Sequence, residues 1–230
     1  MELTDNSLIH SQLNGELSKL HLDERLQALL SYIDCDTLAD IGCDHGKISL
    51  GAILSRKAKF VVAADISKSC LEKAITLANN FNLRDKIKFF VSNGFQSITR
   101  KVDQAVIAGM GGIEITKIMS HENCPSRLIL APHSKCDILR EHISCNNYRI
   151  VCDNIVKSQK KFYPVIVLEK SSHKPCYCSS ELMYGKNLPQ SPYFIEMLLE
   201  QKGKLEKILL ENKNENIAKN LAMVMELLKF

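Results

Sequence analysis

The residues with the clearest chemical potential lie in the turn Asp40–Gly46, which reads Asp-Ile-Gly-Cys-Asp-His-Gly. The turn follows an apolar run and precedes a helical pattern, and Gly42 and Gly46 allow the backbone to turn tightly and approach a ligand closely. A dinucleotide-binding fingerprint has a glycine where this chain has Asp44. A carboxylate there repels a pyrophosphate but tolerates the cationic amine and sulfonium of S-adenosylmethionine. The turn therefore predicts a methyl-donor site, with a solvated Asp44 on a structural turn as the alternative.

Two later strand ends add candidate contacts to the same cofactor. Asp65 and Ile66 close an apolar run, and an acid at this position can accept hydrogen bonds from ribose hydroxyls. Asn93 and Gly94 end the next apolar run, where the amide could lie near the adenine amino group. Taken alone, Asp65 would be a helix cap or loop residue and Asn93-Gly94 an ordinary turn. The glycine turn upstream favours the ribose role for Asp65.

A second glycine-rich turn, Gly109–Gly112, surrounds Met110 at the predicted end of the fourth strand. Three of its four residues are glycine, in a chain with ten glycines in total, so the turn carries little side-chain volume. A cofactor and a flat aromatic acceptor could therefore stack closely there. This makes Gly109, Met110 and Gly111 candidate cofactor contacts, with a flexible strand–helix connection as the alternative.

Alternating apolar runs and helical patterns supply the framework that must position these turns. Strands are predicted at 37–42, 59–66, 86–93, 102–110, 126–133, 148–158 and 161–170. Helices are predicted at 20–33, 47–57, 67–83, 112–121 and 136–146. This alternation is typical of an α/β fold with a mostly parallel, doubly wound sheet, whose ligands bind at the carboxyl ends of the strands. The last two of the seven strands are expected to form an antiparallel hairpin.

The composition changes after Lys170, so we predict two units, residues 1–170 with an N-terminal helix and residues 171–230. Residues 171–180 have the composition of a linker. Apolar residues then recur at helical spacing over 191–212 and 215–230, which predicts an antiparallel helical hairpin. The residues predicted to line it are Ile195, Leu198, Leu199, Leu205, Ile208, Leu209, Ile217, Leu221, Val224 and Leu228.

Bulk composition fits a globular protein of 230 residues, of which 45% are hydrophobic and 24% charged, with a net charge of +4. These proportions exclude a disordered chain. The sequence has no apolar run long enough to span a bilayer and no charged segment leading into an apolar signal core, so a cytoplasmic location is expected. Its nine cysteines include no Cys-x-x-Cys pair, and no metal site is expected.

Five features in this order give the sequence a family resemblance: "RLQALLSYI", "ADIGCDHG", "IAGMGG", "RLILAPH" and the basic helical tail. Together they resemble the bacterial tRNA (adenine-22-N1)-methyltransferase family, TrmK. The resemblance implies a Rossmann-like class I methyltransferase domain with a C-terminal, coiled-coil-like helical extension. It also implies S-adenosylmethionine as donor and an adenine of the tRNA D-arm as acceptor. By position, it assigns Arg25, His45 and Met110 to the substrate side, and to the cofactor it assigns Asp40, Gly42, Asp44, Asp65, Asn93 and Gly109.

The residues after the fourth strand agree with methylation of a ring nitrogen. Enzymes that methylate an exocyclic amine commonly carry Asn/Asp-Pro-Pro-Tyr/Phe there, whereas this chain has Gly-Met-Gly-Gly. Adenine N1 has a free lone pair, so the enzyme need only align the reacting atoms. Because N1 lies on the Watson–Crick edge, the base must first be unpaired or extruded. Asp44, His45 and Met110 are the candidate catalytic residues, although His45 fits a structural role equally well.

Basic residues are the candidate contacts to the RNA backbone. Arg25 and Lys47 could form a rim, with Lys160 and Lys161 between the last two strands and further lysines in the tail. Each alone would be a solvated surface lysine, but as a set they predict salt-sensitive RNA binding. A monomer is consistent with the sequence. Two other functions remain open: a small-molecule methyltransferase whose tail acts as a lid, and a non-catalytic S-adenosylmethionine-binding protein whose tail docks a partner.

Overall fold

A computed structural model of the chain describes residues 15–211 and 214–229. The helices are α1 (Glu24–Ser31), α2 (Lys47–Leu54), α3 (Lys68–Asn80), α4 (Gly112–Met119), α5 (Cys136–Cys145), α6 (Ser179–Tyr184), α7 (Pro192–Glu211) and α8 (Glu215–Leu227). Residues 15–19 are also helical. The strands are β1 (Cys35–Ile41), β2 (Ala58–Asp65), β3 (Ile87–Val91), β4 (Gln104–Ala108), β5 (Arg127–Ala131), β6 (Tyr148–Ser158) and β7 (Lys161–Lys170). Residues 1–14 of the first predicted unit, and the predicted ends of the last two helices at 212 and 230, lie outside the described residues.

The strands form one seven-stranded sheet in the order β3-β2-β1-β4-β5-β7-β6. Strands β1 to β5 run parallel to their neighbours, β7 is antiparallel to β5, and β6 and β7 form the predicted hairpin. Helices cover both faces, which is why the central strands are continuous apolar runs. The predicted Rossmann-like α/β fold is confirmed. Because the chain winds outward from β1 in both directions, the crevice between the ends of β1 and β4 is the expected ligand site.

The first helix is shorter than its apolar pattern predicts. The prediction began at Leu20, but α1 begins at Glu24 because the Asp23 carboxylate accepts a hydrogen bond from the Leu26 amide at 2.8 Å. This is a standard N-terminal cap. Leu20 is nevertheless buried, with 3% of its surface exposed, so it continues the apolar pattern without belonging to the helix.

The segment predicted as a linker contains the short helix α6 and is fixed by a buried ion pair. Arg140 donates to both carboxylate oxygens of Asp153 at 2.9 and 2.8 Å, and both side chains are almost fully buried. Arg140 also donates to the Leu182 carbonyl at 3.0 Å, and the Lys186 amide donates to Asp153 at 3.0 Å. These contacts hold α6 and the chain after it against β6.

The last two helices, α7 and α8, pack on each other and on Ile155 of β6. Of the residues predicted to line the pair, Leu198, Leu205 and Val224 are buried. The prediction is wrong for Ile195, Leu199 and Ile208, which are 39%, 55% and 44% exposed. Phe194 is buried in their place, because α7 turns a different edge of its apolar face toward the sheet. A boundary between two units at residue 170 stays a prediction.

Within the described part of the chain, no helix combines the length and the apolarity that crossing a bilayer would require.

Candidate cofactor and acceptor site

The two glycine turns meet at one edge of the sheet. Strands β1 and β4 are parallel neighbours, paired through Ile41 and Ile107, so the turns that follow them emerge side by side. A Cβ atom placed on Gly42 would lie 2.3 Å from the Met110 methyl group. The Met110 side chain therefore lies over the first turn, and the left-handed Gly42 (φ +72°) makes room for it.

A cavity of about 880 Å³ opens between these turns, which is large enough for a cofactor and part of an acceptor. The predicted cofactor residues that line it are Asp40, Gly42, Asp44, Asp65, Ile66, Asn93, Gly94, Gly109 and Met110. The predicted substrate-side residues that line it are Arg25, His45 and Lys47. Four predicted site residues are not in its wall: Gly46, Gly111, Lys160 and Lys161.

Asp65 is held at the end of β2 by the backbone around it. One carboxylate oxygen accepts a hydrogen bond from the Ser67 amide at 2.8 Å, and the other accepts from the Asp44 amide at 3.0 Å. Each oxygen keeps lone-pair capacity for another donor. The arrangement orients the carboxylate toward the cavity and ties the first glycine turn to β2. It suits recognition of a pair of neighbouring hydroxyl groups.

Asp40 is a buried carboxylate at the bottom of the cavity. It accepts hydrogen bonds from the Ser49 amide at 3.1 Å and the Ser49 hydroxyl at 2.6 Å. Burial raises the pKa of Asp40 to about 6, with smaller contributions from the charges of Asp65 and Asp44. Asp40, Asp44 and Asp65 are three of the carboxylates that line this cavity, and their charge favours a cationic ligand beside them.

Asp44 and His45 form the exposed lip of the first turn. Asp44 has a left-handed backbone (φ +47°), which directs its amide toward Asp65. The His45 Nε2 atom lies 3.6 Å from the Asp44 carboxylate. Because both side chains are exposed, either can reach an incoming base by rotation.

The other end of the cavity is apolar on two sides. Ile66 is 74% exposed and flanks one side. Gly94, also left-handed (φ +60°), packs against a second apolar lining residue, Ile118, which would lie 3.1 Å from a Cβ at that position. Asn93 also lines the cavity and supplies an amide there. A flat base with hydrogen-bonding edges fits between such walls.

Helix α4 contributes cavity residues that the sequence analysis did not identify. Glu114, Lys117 and Ile118 line the cavity, and their spacing of three and four residues puts them on one face of α4, while His121, just after the end of the helix, lines it too. The His121 ring also lies 6.3 Å from that of Phe95, another lining residue. In the sequence, only the predicted helix and its position after a glycine turn indicated that these residues could reach the cavity.

Three glycines of the two turns serve chain packing instead of ligand approach. A Cβ on Gly46 would lie 2.9 Å from the Ala74 side chain, and one on Gly112 would lie 2.0 Å from the Lys135 carbonyl oxygen. Gly111 is the N-cap of α4, and its amide donates to the Glu114 carboxylate at 3.1 Å. Among the glycines of these two turns, only Gly109 leaves open space, since a Cβ at that position would meet no atom within 4 Å. The surface without side chains that the sequence predicted for the second turn is therefore confined to Gly109.

The predicted basic residues divide into a lining pair and a neighbouring pair. Arg25 and Lys47 line the cavity, and the Lys47 ammonium donates to the His21 carbonyl at 3.2 Å. Lys160 and Lys161 lie at the tip of the β6–β7 hairpin, on the same side of the sheet but outside the cavity wall. Across residues 15–211 and 214–229, no three His, Cys, Asp or Glu side chains converge on a point that could hold a metal ion.

Comparison with known proteins connects this site to one family. The family model "TrmK: tRNA (adenine(22)-N(1))-methyltransferase" matches residues 38–229. A Bacillus subtilis tRNA (adenine(22)-N(1))-methyltransferase is 29% identical over 175 residues, 74% of each chain. A Mycoplasma genitalium protein with a provisional tRNA methyltransferase name is 35% identical over 150 residues, 63% of this chain and 66% of that one. A Streptococcus pneumoniae structure with S-adenosyl-L-methionine bound, provisionally described as a tRNA (m1A22) methyltransferase, is 26% identical, with a TM-score of 0.81 over 89% of this chain and 98% of that one.

Proposed function

This chain belongs to the TrmK family of tRNA (adenine(22)-N(1))-methyltransferases, and we propose that it transfers the methyl group of S-adenosylmethionine to N1 of adenine 22 in tRNA. The observation that carries the proposal is the single cavity between the turns after β1 and β4, with carboxylates on its walls and a bare backbone at Gly109. A tRNA substrate is consistent with a cytoplasmic enzyme. We also propose that it acts as a monomer.

The residues of the cavity fit the donor by chemical type. Bound S-adenosylmethionine supplies an electrophilic methyl group on a sulfonium. Asp65 is suited to accept from the ribose hydroxyls, since both its oxygens are oriented by backbone amides. Ile66 and Ile118 offer apolar faces to the adenine ring, and Asn93 offers an amide to its edge. Asp40 and Asp44 supply negative charge for the cationic end.

No proton has to leave adenine N1 before it attacks the methyl group. The protein therefore has to align the reacting atoms and stabilise the positive charge that moves between them. Gly109 lets the base approach without a side chain in the way. The transfer moves one positive charge from the sulfur to the base. The carboxylates of Asp40, Asp44 and Asp65 remain close to that charge throughout, so they stabilise it on either side of the reaction. Asp44 and His45 are positioned to hold the Watson–Crick edge of the base.

The distribution of charge supports RNA contacts beside the cavity more than along the tail. Residues 191–230 contain six lysines and six glutamates, so the tail has no net charge. Two of the tail lysines expected to bind RNA, Lys202 and Lys204, form ion pairs within α7. We therefore assign the main phosphate contacts to Lys47 and, at the hairpin tip, to Lys160 and Lys161, with Arg25 facing the acceptor nucleotide.

The test is methyl transfer from labelled S-adenosylmethionine to an unmodified tRNA transcript with adenine at position 22, followed by nucleoside analysis. We expect 1-methyladenosine as the product, and none from a transcript in which guanine replaces that adenine. Equal transfer to the guanine transcript, N6-methyladenosine as the product, or donor binding without transfer to tRNA would overturn the proposal.

A further inference from the structure

We propose that Tyr163 is a positioning residue for the acceptor: its ring holds the guanidinium of Arg25 flat at the mouth of the cavity, where Arg25 stacks on the extruded base. This inference rests on the proposed function. It concerns a contact between α1 and β7 that no sequence motif indicated.

The two side chains form a cation–π pair at the edge of the cavity. The Arg25 guanidinium carbon lies 5.3 Å from the centre of the Tyr163 ring, within the range of a cation–π contact. Arg25 lines the cavity and Tyr163 does not, so the ring lies behind the guanidinium as seen from the ligand. Among the residues that the structure describes, Arg25 forms no ion pair with a carboxylate. Its charge is therefore available to a ligand.

The hairpin that carries Tyr163 is fixed to the helix that carries Arg25. The Ser158 hydroxyl at the end of β6 donates to the Glu24 carboxylate at 2.6 Å, one residue from Arg25. Gln159 and Lys160 form a two-residue turn with φ of +48° and +64°, the geometry that closes a tight hairpin. The chain therefore joins α1 to the hairpin through two separate contacts.

The hairpin also extends past the carboxyl edge of the sheet. Strand β7 pairs with β5 only from Glu169 back to Ile166, opposite Leu130 near the end of β5. The residues before Ile166, Tyr163 among them, are paired with β6 alone and stand above the sheet edge. The end of the hairpin thus lies on the carboxyl side of the sheet, the side on which the cavity opens.

Restraint of Arg25 has a predictable kinetic consequence. A free arginine side chain loses substantial rotamer entropy on binding, and the planar guanidinium stacks well on bases only when its plane is set. A ring that orders the guanidinium beforehand lowers this loss and strengthens acceptor binding. It does not touch the reacting atoms. Loss of the ring should therefore raise KM for tRNA and leave kcat nearly unchanged.

The experiment compares Tyr163→Leu, which removes the aromatic face, with Tyr163→Phe, which keeps it. We expect Tyr163→Leu to raise KM for the tRNA transcript about fivefold, with kcat and the affinity for S-adenosylhomocysteine within about twofold of wild type. Tyr163→Phe should restore KM to within about twofold. In an Arg25→Ala background, Tyr163→Leu should have little further effect, since the residue it positions is gone.

Four outcomes would count against this role. An unchanged KM in Tyr163→Leu overturns it, as does an equal defect in Tyr163→Phe. A Tyr163→Leu effect of the same size with and without Arg25 shows that the ring acts independently, and loss of cofactor affinity in Tyr163→Leu shows a general structural defect. If the wild-type chain binds S-adenosylhomocysteine but methylates no tRNA, the proposed function fails and this role fails with it. An active wild type with a normal Tyr163→Leu variant refutes the role alone.

Discussion

Replacing Asp65 with asparagine keeps the shape of the side chain and removes its charge, which isolates the carboxylate's contribution to the donor site. In the native site its two oxygens accept from the Ser67 and Asp44 amides at 2.8 and 3.0 Å. A carboxamide has only one oxygen, so one of these two amides would face an NH2 group. The substitution also removes one acceptor from the pair proposed for the ribose.

The size of the effect follows from the hydrogen bonds lost. A hydrogen bond to a charged group is worth about 1.5–3 kcal/mol, and part of this is recovered by water because Asp65 is only half-buried. We expect a net loss of about 1–2 kcal/mol in binding free energy, which raises the Kd about 5- to 30-fold. The thermal midpoint should fall by only a few degrees.

Isothermal titration calorimetry with S-adenosylhomocysteine measures this directly. The matched control is Asp36→Asn at the opposite end of the sheet, where an exposed Asp36 pairs with Lys59 at 2.8 Å. The control should bind as the wild type does. If Asp65→Asn binds within about threefold of wild type, Asp65 does not hold the ribose and this part of the site is wrong.

Three further substitutions test packing and electrostatics. Gly112→Ala places a Cβ 2.0 Å from the backbone oxygen of Lys135, so urea unfolding should show a loss of about 2–3 kcal/mol. Burial raises the pKa of Asp40 to about 6. The stability that this shift contributes is therefore fully present below about pH 4 and is lost as the pH rises through 6. In urea unfolding at stepped pH, the wild type should lose about 2–3 kcal/mol across this window relative to Asp40→Asn. Asp153→Ala leaves the charge of Arg140 buried without its partner, and chemical denaturation should show a loss of about 3–5 kcal/mol.

Each of these has a control or a result that contradicts it. Gly203→Ala on α7 meets no atom within 4 Å and should stabilise its helix by up to about 1 kcal/mol, so equal losses at Gly112 and Gly203 would contradict the packing argument. A stability difference between wild type and Asp40→Asn that is flat with pH would show that Asp40 titrates normally. Asp36→Ala breaks an exposed ion pair and should leave the free energy of unfolding at the wild-type value. If Asp153→Ala lowers the free energy of unfolding no more than Asp36→Ala does, the buried Arg140–Asp153 pair does not stabilise the fold as proposed.

The framework of the fold was predictable because the central strands are buried on both faces and therefore stand out as apolar runs. The prediction failed where tertiary contacts decide. Leu20 is buried like a helical residue, yet the cap at Asp23 starts the helix later. Helix α6 is too short to show a period of its own, and the Arg140–Asp153 pair fixes it from outside.

The candidate site was predictable to the extent that its requirements are local. The turns at Gly42 and Gly109 need left-handed backbone, and glycine in the sequence signals that directly. Gly46 and Gly112 are also glycines in these turns, but each is in close contact with another part of the chain, so the residue type alone did not separate packing from ligand approach. Lys117 in α4 and His121 just after it belong to no motif, and only the packing of the helix brings them to the site.

The central claim is that one pocket between the two glycine turns holds the donor beside the acceptor. A crystal structure of the chain with S-adenosylhomocysteine bound tests it most directly. We expect the ribose hydroxyls within hydrogen-bonding distance of the Asp65 carboxylate and the sulfur facing the backbone of Gly109. A ligand bound elsewhere on the protein, or one whose sulfur points away from Gly109, would contradict the account.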